Sequence, residues 1–319
     1  MEVQESFIKV AITIGSVSVC ISLINFLSWV YIMFLRPPKK LQEYGSWAII
    51  TGSAQGIGKA LAYEMASKGL NIVLVDKNQS SLEATCNEIR EKHGGRAEIK
   101  SIVMDLAKLS GEEIAKTIDE ETKELDVGIL INNAGIAYPY PKFFHEVDLE
   151  FMNNIIKVNM EAATWMTKAV LPRMLKKKKG AIVNIGSAST EIAPSFPLYT
   201  LYATTKAYLK TFSRCISLEY KQHGIDIQCQ VPLFVATKLA KIKKSSLFIP
   251  SPETFSKSSI RWIGYDSVCA PYWSHSVMGF LARGLPHALL NVTIFGYFLR
   301  NRKRGQLNEL QKKKQSIQL

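Results

Sequence analysis

The 319-residue chain has little of what builds metal sites or disulfide frameworks. It contains five histidines and five cysteines; the cysteines are scattered, and neither a CxxC nor an HExxH spacing occurs. These absences argue against a zinc module and against a disulfide-stapled secreted fold. We therefore expect no metal ion, and reduced thiols in a domain that faces the cytosol.

Acidic residues are also scarce, with 27 Asp and Glu against 40 Lys and Arg, which gives a formal net charge of +13. The positive charge gathers at residues 36–40, 176–179, 238–244 and 300–314. No recognised nucleic-acid-binding motif accompanies these clusters, and two of them flank apolar segments. We therefore expect a membrane surface or a phosphate-bearing ligand as the partner, and no nucleic acid.

One uncharged run, at residues 10–35, has the length of a membrane span. At a rise of about 1.5 Å per residue it extends about 39 Å, which exceeds the hydrocarbon core of about 30 Å. Basic residues at 36–40 follow it and predict that its C-terminal side is cytoplasmic. A cleaved signal peptide is disfavoured because Glu2 and Glu5 precede the run and no small-residue cleavage site ends it. We expect an uncleaved anchor over residues 1–40.

From residue 46 onward the pattern alternates between apolar strands and amphipathic helices. The predicted strands are 47–51, 71–76, 99–104, 129–132, 181–185 and 225–231, and the predicted helices are 58–68, 80–92, 151–176 and 200–221. This alternation predicts an α/β fold with a doubly wound parallel sheet, the Rossmann fold, over residues 41–264.

Residues 265–319 are predicted to form an apolar C-terminal segment with a basic tail that frays after residue 300. The uncharged run at 286–299 is too short to span a bilayer. Two readings stay open: a core helix that closes the domain, and a segment that dips into the membrane over the active site.

A glycine-rich turn joins the first predicted strand to the first predicted helix, with the sequence Thr51-Gly52-Ser53-Ala54-Gln55-Gly56-Ile57-Gly58. Gly52 permits the tight turn, Gly56 lets the backbone approach a pyrophosphate, and Gly58 lets the helix and strand pack closely. Asp76 ends the next strand. The turn therefore predicts a dinucleotide bound at the helix N-terminus.

A second motif, Tyr202-Ala-Thr-Thr-Lys206, lies in the predicted helix after the fifth strand. Residues four apart share one face of a helix, so we expect the Lys206 ammonium to lower the pKa of Tyr202 from about 10. With a dinucleotide, this pair predicts transfer of a hydride and a proton to a carbonyl group.

The glycine-rich turn, Asn132-Asn133-Ala134-Gly135, a serine and the YxxxK motif together resemble the short-chain dehydrogenase/reductase family over residues 46–240. Three further runs, at 137–147, 231–239 and 251–253, are similar to the membrane-bound very-long-chain 3-oxoacyl-CoA reductases, the plant members above all. The related 17β-hydroxysteroid dehydrogenases share this pattern.

The resemblance implies a catalytic role for four residues. Tyr202 is the general acid, Lys206 lowers its pKa and holds the nicotinamide ribose, and Asn159 holds a water in the proton relay. The catalytic serine stays open between two candidates. Ser189 has the family's usual separation from the tyrosine, whereas Ser187 lies at the strand end, where it is held more rigidly and is therefore preferred.

The residues implied to bind the cofactor are Thr51, Gly52, Gln55, Gly56, Ile57, Gly58, Asp76, Lys77, Asp105, Asn133, Tyr202, Lys206 and Thr237. Two of them conflict. Asp76 suits the ribose hydroxyl of NAD and repels the 2′-phosphate of NADP, whereas Lys77 could pair with that phosphate. The family implies NADP, usually with a small residue in place of Asp76. We expect NADP, with NAD possible because of Asp76.

The sequence is compatible with three functions. The first is NADPH-dependent reduction of 3-oxoacyl-CoA to 3-hydroxyacyl-CoA in very-long-chain fatty acid elongation. The second is a 17β-type hydroxysteroid dehydrogenase, and the third is a non-catalytic membrane-bound scaffold. The resemblance also implies an acyl-CoA substrate, a homo-oligomer, contact with other elongation enzymes, and the endoplasmic reticulum membrane with the catalytic domain in the cytosol.

Overall fold

The computed structural model describes residues 2–191 and 194–317. It contains two compact units, Met1–Pro38 and Lys39–Leu319. In the first unit, helix α1 (Glu2–Val30) continues as a π-helical turn at Tyr31–Leu35. By length and composition this helix can cross a membrane. The predicted anchor boundary at residue 40 stays a prediction.

The second unit is built on a seven-stranded sheet in which every neighbouring pair is parallel. Its strands are β1 (Trp47–Thr51), β2 (Asn71–Asp76), β3 (Ile99–Val103), β4 (Val127–Asn132), β5 (Gly180–Ile185), β6 (Ile225–Gln230) and β7 (Val268–Cys269), in the order β3-β2-β1-β4-β5-β6-β7. All residues of β1, β4 and β5 are buried, as expected for strands covered on both faces. The predicted doubly wound parallel sheet is confirmed.

Helices cover both faces of this sheet. They are α2 (Gly56–Ser67), α3 (Gln79–His93), α4 (Gly111–Thr122), α5 (Leu149–Ile156), α6 (Ala162–Lys177), α7 (Thr200–Tyr220), α8 (Pro252–Arg261), α9 (Trp273–Arg283) and α10 (His287–Ile317). Apolar side chains of α2, α3 and α8 build one core, and those of α4 and α6 build the other. Local signals set the helix starts: Ser251 caps α8, whose first residue is proline.

Several elements differ from the sequence-based expectation, among them helix α9, which was not predicted. Helix α4 was missed, although Ser110 and Glu113 form a capping box at its start. Strand β7 was missed because it is only two residues long. The helix predicted over 151–176 is interrupted by a π-helical turn at Lys157–Glu161. The tail after residue 300, predicted to fray, belongs to α10 as far as Ile317.

Buried amides join the sheet to the helix that carries the tyrosine motif. Asn132, at the end of β4, donates to the Asn184 side-chain oxygen of β5 at 2.8 Å, and Asn184 donates to the Ser213 hydroxyl of α7 at 2.8 Å. Buried amides without hydrogen-bond partners would lower the stability of the fold. This series of hydrogen bonds therefore fixes α7 on the sheet. The carboxyl ends of the strands, where such folds bind ligands, therefore face a rigidly placed α7.

Candidate active site

The glycine-rich turn after β1 is held by the segment after β4. The Asn133 side chain donates to the carbonyl oxygens of Thr51 at 2.9 Å and Gly52 at 3.1 Å. The backbone amide of Asn133 also donates a hydrogen bond to the Thr51 hydroxyl at 3.0 Å. A Cβ added to Gly58 would lie 2.2 Å from the Gly52 carbonyl oxygen, so this close approach of helix and turn requires glycine.

The start of α2 fits a bound diphosphate. Gly56 has φ +59°, and, among the described residues, the preceding Gln55 gives the helix no side-chain cap. The unsatisfied amides of a first helical turn are an anion site. A Cβ on Gly56 would lie 3.5 Å from the Thr237 methyl group, so glycine keeps the gap to Thr237 open. The Ile57 side chain packs against the buried apolar cluster of Val235, Phe255 and Tyr272.

One acidic residue, Asp76, ends β2, and another, Asp105, lies two residues past the end of the neighbouring β3. The Asp76 carboxylate accepts from the Ala54 amide of the glycine-rich turn at 3.1 Å and from the Asn78 amide at 3.2 Å. Lys77 is exposed beside it. Asp105 accepts from the Ala107 amide at 3.1 Å and so shapes the loop after β3. Asp76 therefore helps to hold the turn, and the adenine contact of Asp105 stays a prediction.

The two serine candidates differ sharply in their surroundings. The Ser187 side chain acts to lower the pKa of Tyr202, and its hydroxyl oxygen accepts from the Ser189 amide at 3.2 Å. The Ser189 hydroxyl is buried and has no hydrogen-bond partner among the described residues. Ser187, two residues past β5, therefore affects the protonation of the tyrosine, and its catalytic role, like that of Ser189, stays a prediction.

Lys206 is almost fully buried, at 4% exposure, and its ammonium donates to the Ile185 carbonyl oxygen at 2.8 Å. Burial lowers its pKa to about 8, and the neighbouring Cys229 opposes this shift. Its nitrogen lies 6.0 Å from the Tyr202 ring centroid.

Burial also raises the pKa of Tyr202, and the hydrogen bond from Ser187 partly offsets that increase. The sequence led us to expect that Lys206 lowers the pKa of Tyr202. In the structure the pKa of Tyr202 is raised instead. The reason is that the Lys206 ammonium bonds the carbonyl at the end of β5, while the crowded surroundings of the Tyr202 hydroxyl disfavour the phenolate.

Asn159 lies in the π-helical turn and is fully buried. Its side-chain oxygen accepts from the Ile136 amide at 2.8 Å, and its nitrogen donates to the Ile136 carbonyl at 3.0 Å and the Thr205 hydroxyl at 3.1 Å. It therefore ties the segment after β4 to α7. A Cβ on Gly135 would come within 3.4 Å of Asn159 and 3.3 Å of Lys206, so glycine keeps this meeting point open. The water held by Asn159 stays a prediction.

Sequence reasoning missed three supporting residues. Thr205 fixes Asn159, Asn184 fixes α7, and Cys229 lies beside both Lys206 and Gly186. None carried a signal in a single sequence, because each acts through a partner far along the chain.

The chain belongs to the short-chain dehydrogenase family, a family of oxidoreductases, because the family model "short chain dehydrogenase" matches residues 46–246. A solved short-chain dehydrogenase from Sphingobium yanoikuyae in complex with NADPH superposes with a TM-score of 0.63 at 27% identity, over 77% of this chain and 95% of that one.

Curated relatives are similar to this chain over most of its length, and several of them carry the name of one group of reductases. A very-long-chain 3-oxoacyl-CoA reductase-like protein of Arabidopsis thaliana is 45% identical, over 88% of this chain and 89% of the relative. The human very-long-chain 3-oxoacyl-CoA reductase is 41% identical over 76% of each chain. An inactive hydroxysteroid dehydrogenase-like protein of Homo sapiens is 38% identical, over 78% of this chain and 75% of the relative. The likeness to plant and animal 3-oxoacyl-CoA reductases agrees with the resemblance seen in the sequence.

Proposed function

We propose that the protein is a membrane-anchored reductase that converts 3-oxoacyl-CoA thioesters to 3-hydroxyacyl-CoA, using NADPH, in very-long-chain fatty acid elongation. The observation that carries the proposal is the buried Lys206, whose ammonium bonds the Ile185 carbonyl at the end of β5 and lies 6.0 Å from the Tyr202 ring centroid. The relatives named as 3-oxoacyl-CoA reductases supply the substrate class.

The chemistry follows from the placement of these side chains. A nicotinamide cofactor at the N-terminus of α2 would supply the hydride to the substrate carbonyl carbon. Tyr202 donates its phenolic proton to the carbonyl oxygen, and its raised pKa keeps that proton in place at neutral pH. Ser187 hydrogen-bonds the same oxygen and orients it. Lys206, whose ammonium donates to the Ile185 carbonyl, would hold the nicotinamide ribose hydroxyls. Thr51 and Asn133 hold the glycine-rich turn in shape.

A basic loop supports a CoA thioester over a steroid. Lys238, Lys241, Lys243 and Lys244 are all exposed on the segment after β6, at the edge of the sheet that carries the site. Lys241 also donates to the Pro139 carbonyl oxygen, which joins this loop to the segment after β4. CoA carries phosphates that such a cluster attracts, whereas a steroid carries none.

The test uses full-length protein in detergent with NADPH and a long-chain 3-oxoacyl-CoA, followed by the nicotinamide absorbance, with a 17-ketosteroid assayed in parallel. We expect turnover of the thioester. Replacing Lys243 and Lys244 by glutamine should increase KM for the thioester several-fold and leave any steroid turnover unchanged. Lys116→Gln, an exposed lysine of α4, is the control. Steroid turnover alone would favour the hydroxysteroid dehydrogenase.

The non-catalytic alternative has one observation in its favour, which is the relative named as inactive. Against it, Tyr202, Ser187, Lys206 and Asn159 are all present, Lys206 and Asn159 are fixed by backbone hydrogen bonds, and Lys206 lies beside the Tyr202 ring. Complete absence of turnover, with cofactor binding retained, would favour a scaffold.

The setting of the enzyme is the last part of the proposal. We place it at the endoplasmic reticulum membrane with the catalytic unit in the cytosol, as a homo-oligomer that contacts other elongation enzymes. The apolar α1 and the basic residues that follow it support this topology. Protease added to intact microsomes should digest the catalytic unit. A protected unit, or a glycan on Asn78, would contradict the topology.

A further inference from the structure

The C-terminal helix α10 is fastened to both loops that flank the tyrosine site. Arg302 pairs with Glu146 at 2.5 Å, and the Tyr140 hydroxyl donates to Glu309 at 2.6 Å, both on the segment after β4. On the segment before α7, the Ser195 hydroxyl donates to the Asn291 side-chain oxygen at 2.8 Å. These contacts run along most of the helix, so α10 has a defined seat beside the active site.

An aromatic row connects α10 to the catalytic tyrosine. Phe298 is 5% exposed, and its ring centroid lies 4.8 Å from Phe196 and 5.0 Å from Tyr199. Tyr199 is the N-cap residue of α7, three residues before Tyr202, and both rings pack against the same apolar cluster. Tyr199 also packs edge-on against Tyr138 at 5.5 Å, in the apolar cluster that includes Tyr202.

Arg302 fixes the position of this row. Only 14% of its side chain is exposed, and its guanidinium lies 5.2 Å from the Phe143 ring centroid as well as against Glu146. Glu146 in turn accepts from the Phe143 amide at 2.8 Å. The arginine thus bonds an acid and covers a ring of the same short segment, and both contacts depend on one position of α10.

The segment after β4 also touches the basic loop, because Lys241 reaches Pro139 while the next residue, Tyr140, reaches Glu309 of α10. A substrate with a polyanionic end and an apolar end therefore has a charged surface and an aromatic surface on the two sides of one segment.

We propose that α10 is the chain-length specificity element of this enzyme: the partly exposed Phe196 and Tyr199 form the wall that binds the acyl chain, the buried Phe298 supports their rings, and Arg302 positions Phe298 through Glu146. The proposal rests on the proposed function. Its physical basis is that the carbon bearing the reduced carbonyl lies at Tyr202, so the apolar chain attached to it must leave past neighbouring apolar surface. Each buried methylene then adds to binding in proportion to its area.

The experiment measures kcat/KM for a long-chain 3-oxoacyl-CoA and for 3-oxobutanoyl-CoA, and takes their ratio. Phe298→Ala should lower this ratio about tenfold, because only the long chain reaches the wall. Phe295→Ala, on an exposed part of the same helix, is the matched control and should leave the ratio unchanged. An unchanged ratio in folded Phe298→Ala would overturn the proposal.

The ion pair gives a second, independent arm. Arg302→Glu should also lower the ratio, and adding Glu146→Arg should restore it, because the reversed pair can re-form. A merely destabilising change would show no such recovery, so failure of the double variant to recover while the single variant is impaired would overturn the positioning role. If the wild type turns over neither thioester, the proposed function itself has failed, and this outcome is distinct from an unchanged ratio in an active enzyme.

Discussion

Lys206 donates to the backbone carbonyl of Ile185, the last residue of β5, at 2.8 Å. Two residues further along, Ser187 acts on the pKa of Tyr202. One strand end therefore positions Lys206 directly and precedes the serine that affects its partner Tyr202. Because β5 is fully buried, this arrangement is as rigid as the sheet, which is what a proton donor that must meet a carbonyl oxygen requires.

Tyr202→Phe should abolish reduction and leave cofactor binding nearly intact, because the ring stays and only the proton donor is lost. General acid catalysis contributes at least about a hundredfold, so the rate should fall by that factor or more. The rate is measured by NADPH absorbance and cofactor binding by calorimetry. Tyr208→Phe, on the same helix with its hydroxyl bonded to Thr164, is the control. Retention of more than about a tenth of the rate would contradict the role.

Ser187→Ala should slow turnover strongly, and Ser189→Ala only mildly. The physical reason is that Ser187 acts to lower the pKa of Tyr202, whereas the Ser189 hydroxyl is buried without a hydrogen-bond partner among the described residues. Steady-state kcat for the two variants checks this, with thermal denaturation as the control for folding. The reverse order would transfer the role to Ser189.

Gly58→Ala should destabilise the protein by about 1–3 kcal/mol, because the new methyl group would sit 2.2 Å from the Gly52 carbonyl oxygen and force the backbone to move. Dinucleotide affinity should fall with it. Gly296→Ala is the matched control: its added Cβ meets no atom within 4 Å among the described residues, and alanine favours the helix. Equal unfolding midpoints for the two variants would contradict the close packing at Gly58.

Burial lowers the pKa of His275 to about 4, and this residue is fully buried. Above pH 6.5 both the folded and unfolded forms are neutral, so the stability is fully present there. As the pH falls from 6.5 toward 4 only the unfolded form takes up a proton, and stability is lost, by up to about 3 kcal/mol. Urea denaturation across this range should show a steeper loss of stability in the wild type than in His275→Asn. Parallel pH profiles would refute it.

Much of the fold followed from periodicity, because long buried strands and capped helices repeat regularly from Trp47 to Gln230. Strand β7 could not be predicted, since two residues carry no period, and its place depends on pairing with β6. The π-helical turn at Lys157–Glu161 was equally hidden, because its sequence is compatible with an ordinary helix.

The sequence likewise predicted some features of the candidate site and not others. Spacing found the glycine-rich turn and the Tyr-Lys pair, but it could not choose between Ser187 and Ser189, because the two-residue difference lies in loop geometry. The raised pKa of Tyr202 was also out of reach, since it depends on burial by residues far along the chain. The position of α10 depends on the ion pair between Arg302 and Glu146, and no local sequence pattern predicts that pair.

The cofactor choice depends on Asp76 and Lys77. Asp76 already accepts the Ala54 amide, so removing its side chain would disturb the turn as well as the charge. Asp76→Asn is the sharper change, because an amide oxygen can still accept that hydrogen bond while the negative charge is lost.

We expect NADPH to be preferred in the wild type, but by a modest factor, because the Asp76 charge opposes the 2′-phosphate and Lys77 partly offsets it. Asp76→Asn should increase the ratio of kcat/KM for NADPH over NADH, and Lys77→Ala should decrease it. Each 1.36 kcal/mol of differential interaction changes that ratio about tenfold. Lys92→Ala, a lysine near the end of α3 rather than beside Asp76, controls for general charge effects. If the wild type prefers NADH and Lys77→Ala leaves the ratio unchanged, Asp76 alone governs the choice, and the preference inferred from the family fails for this chain.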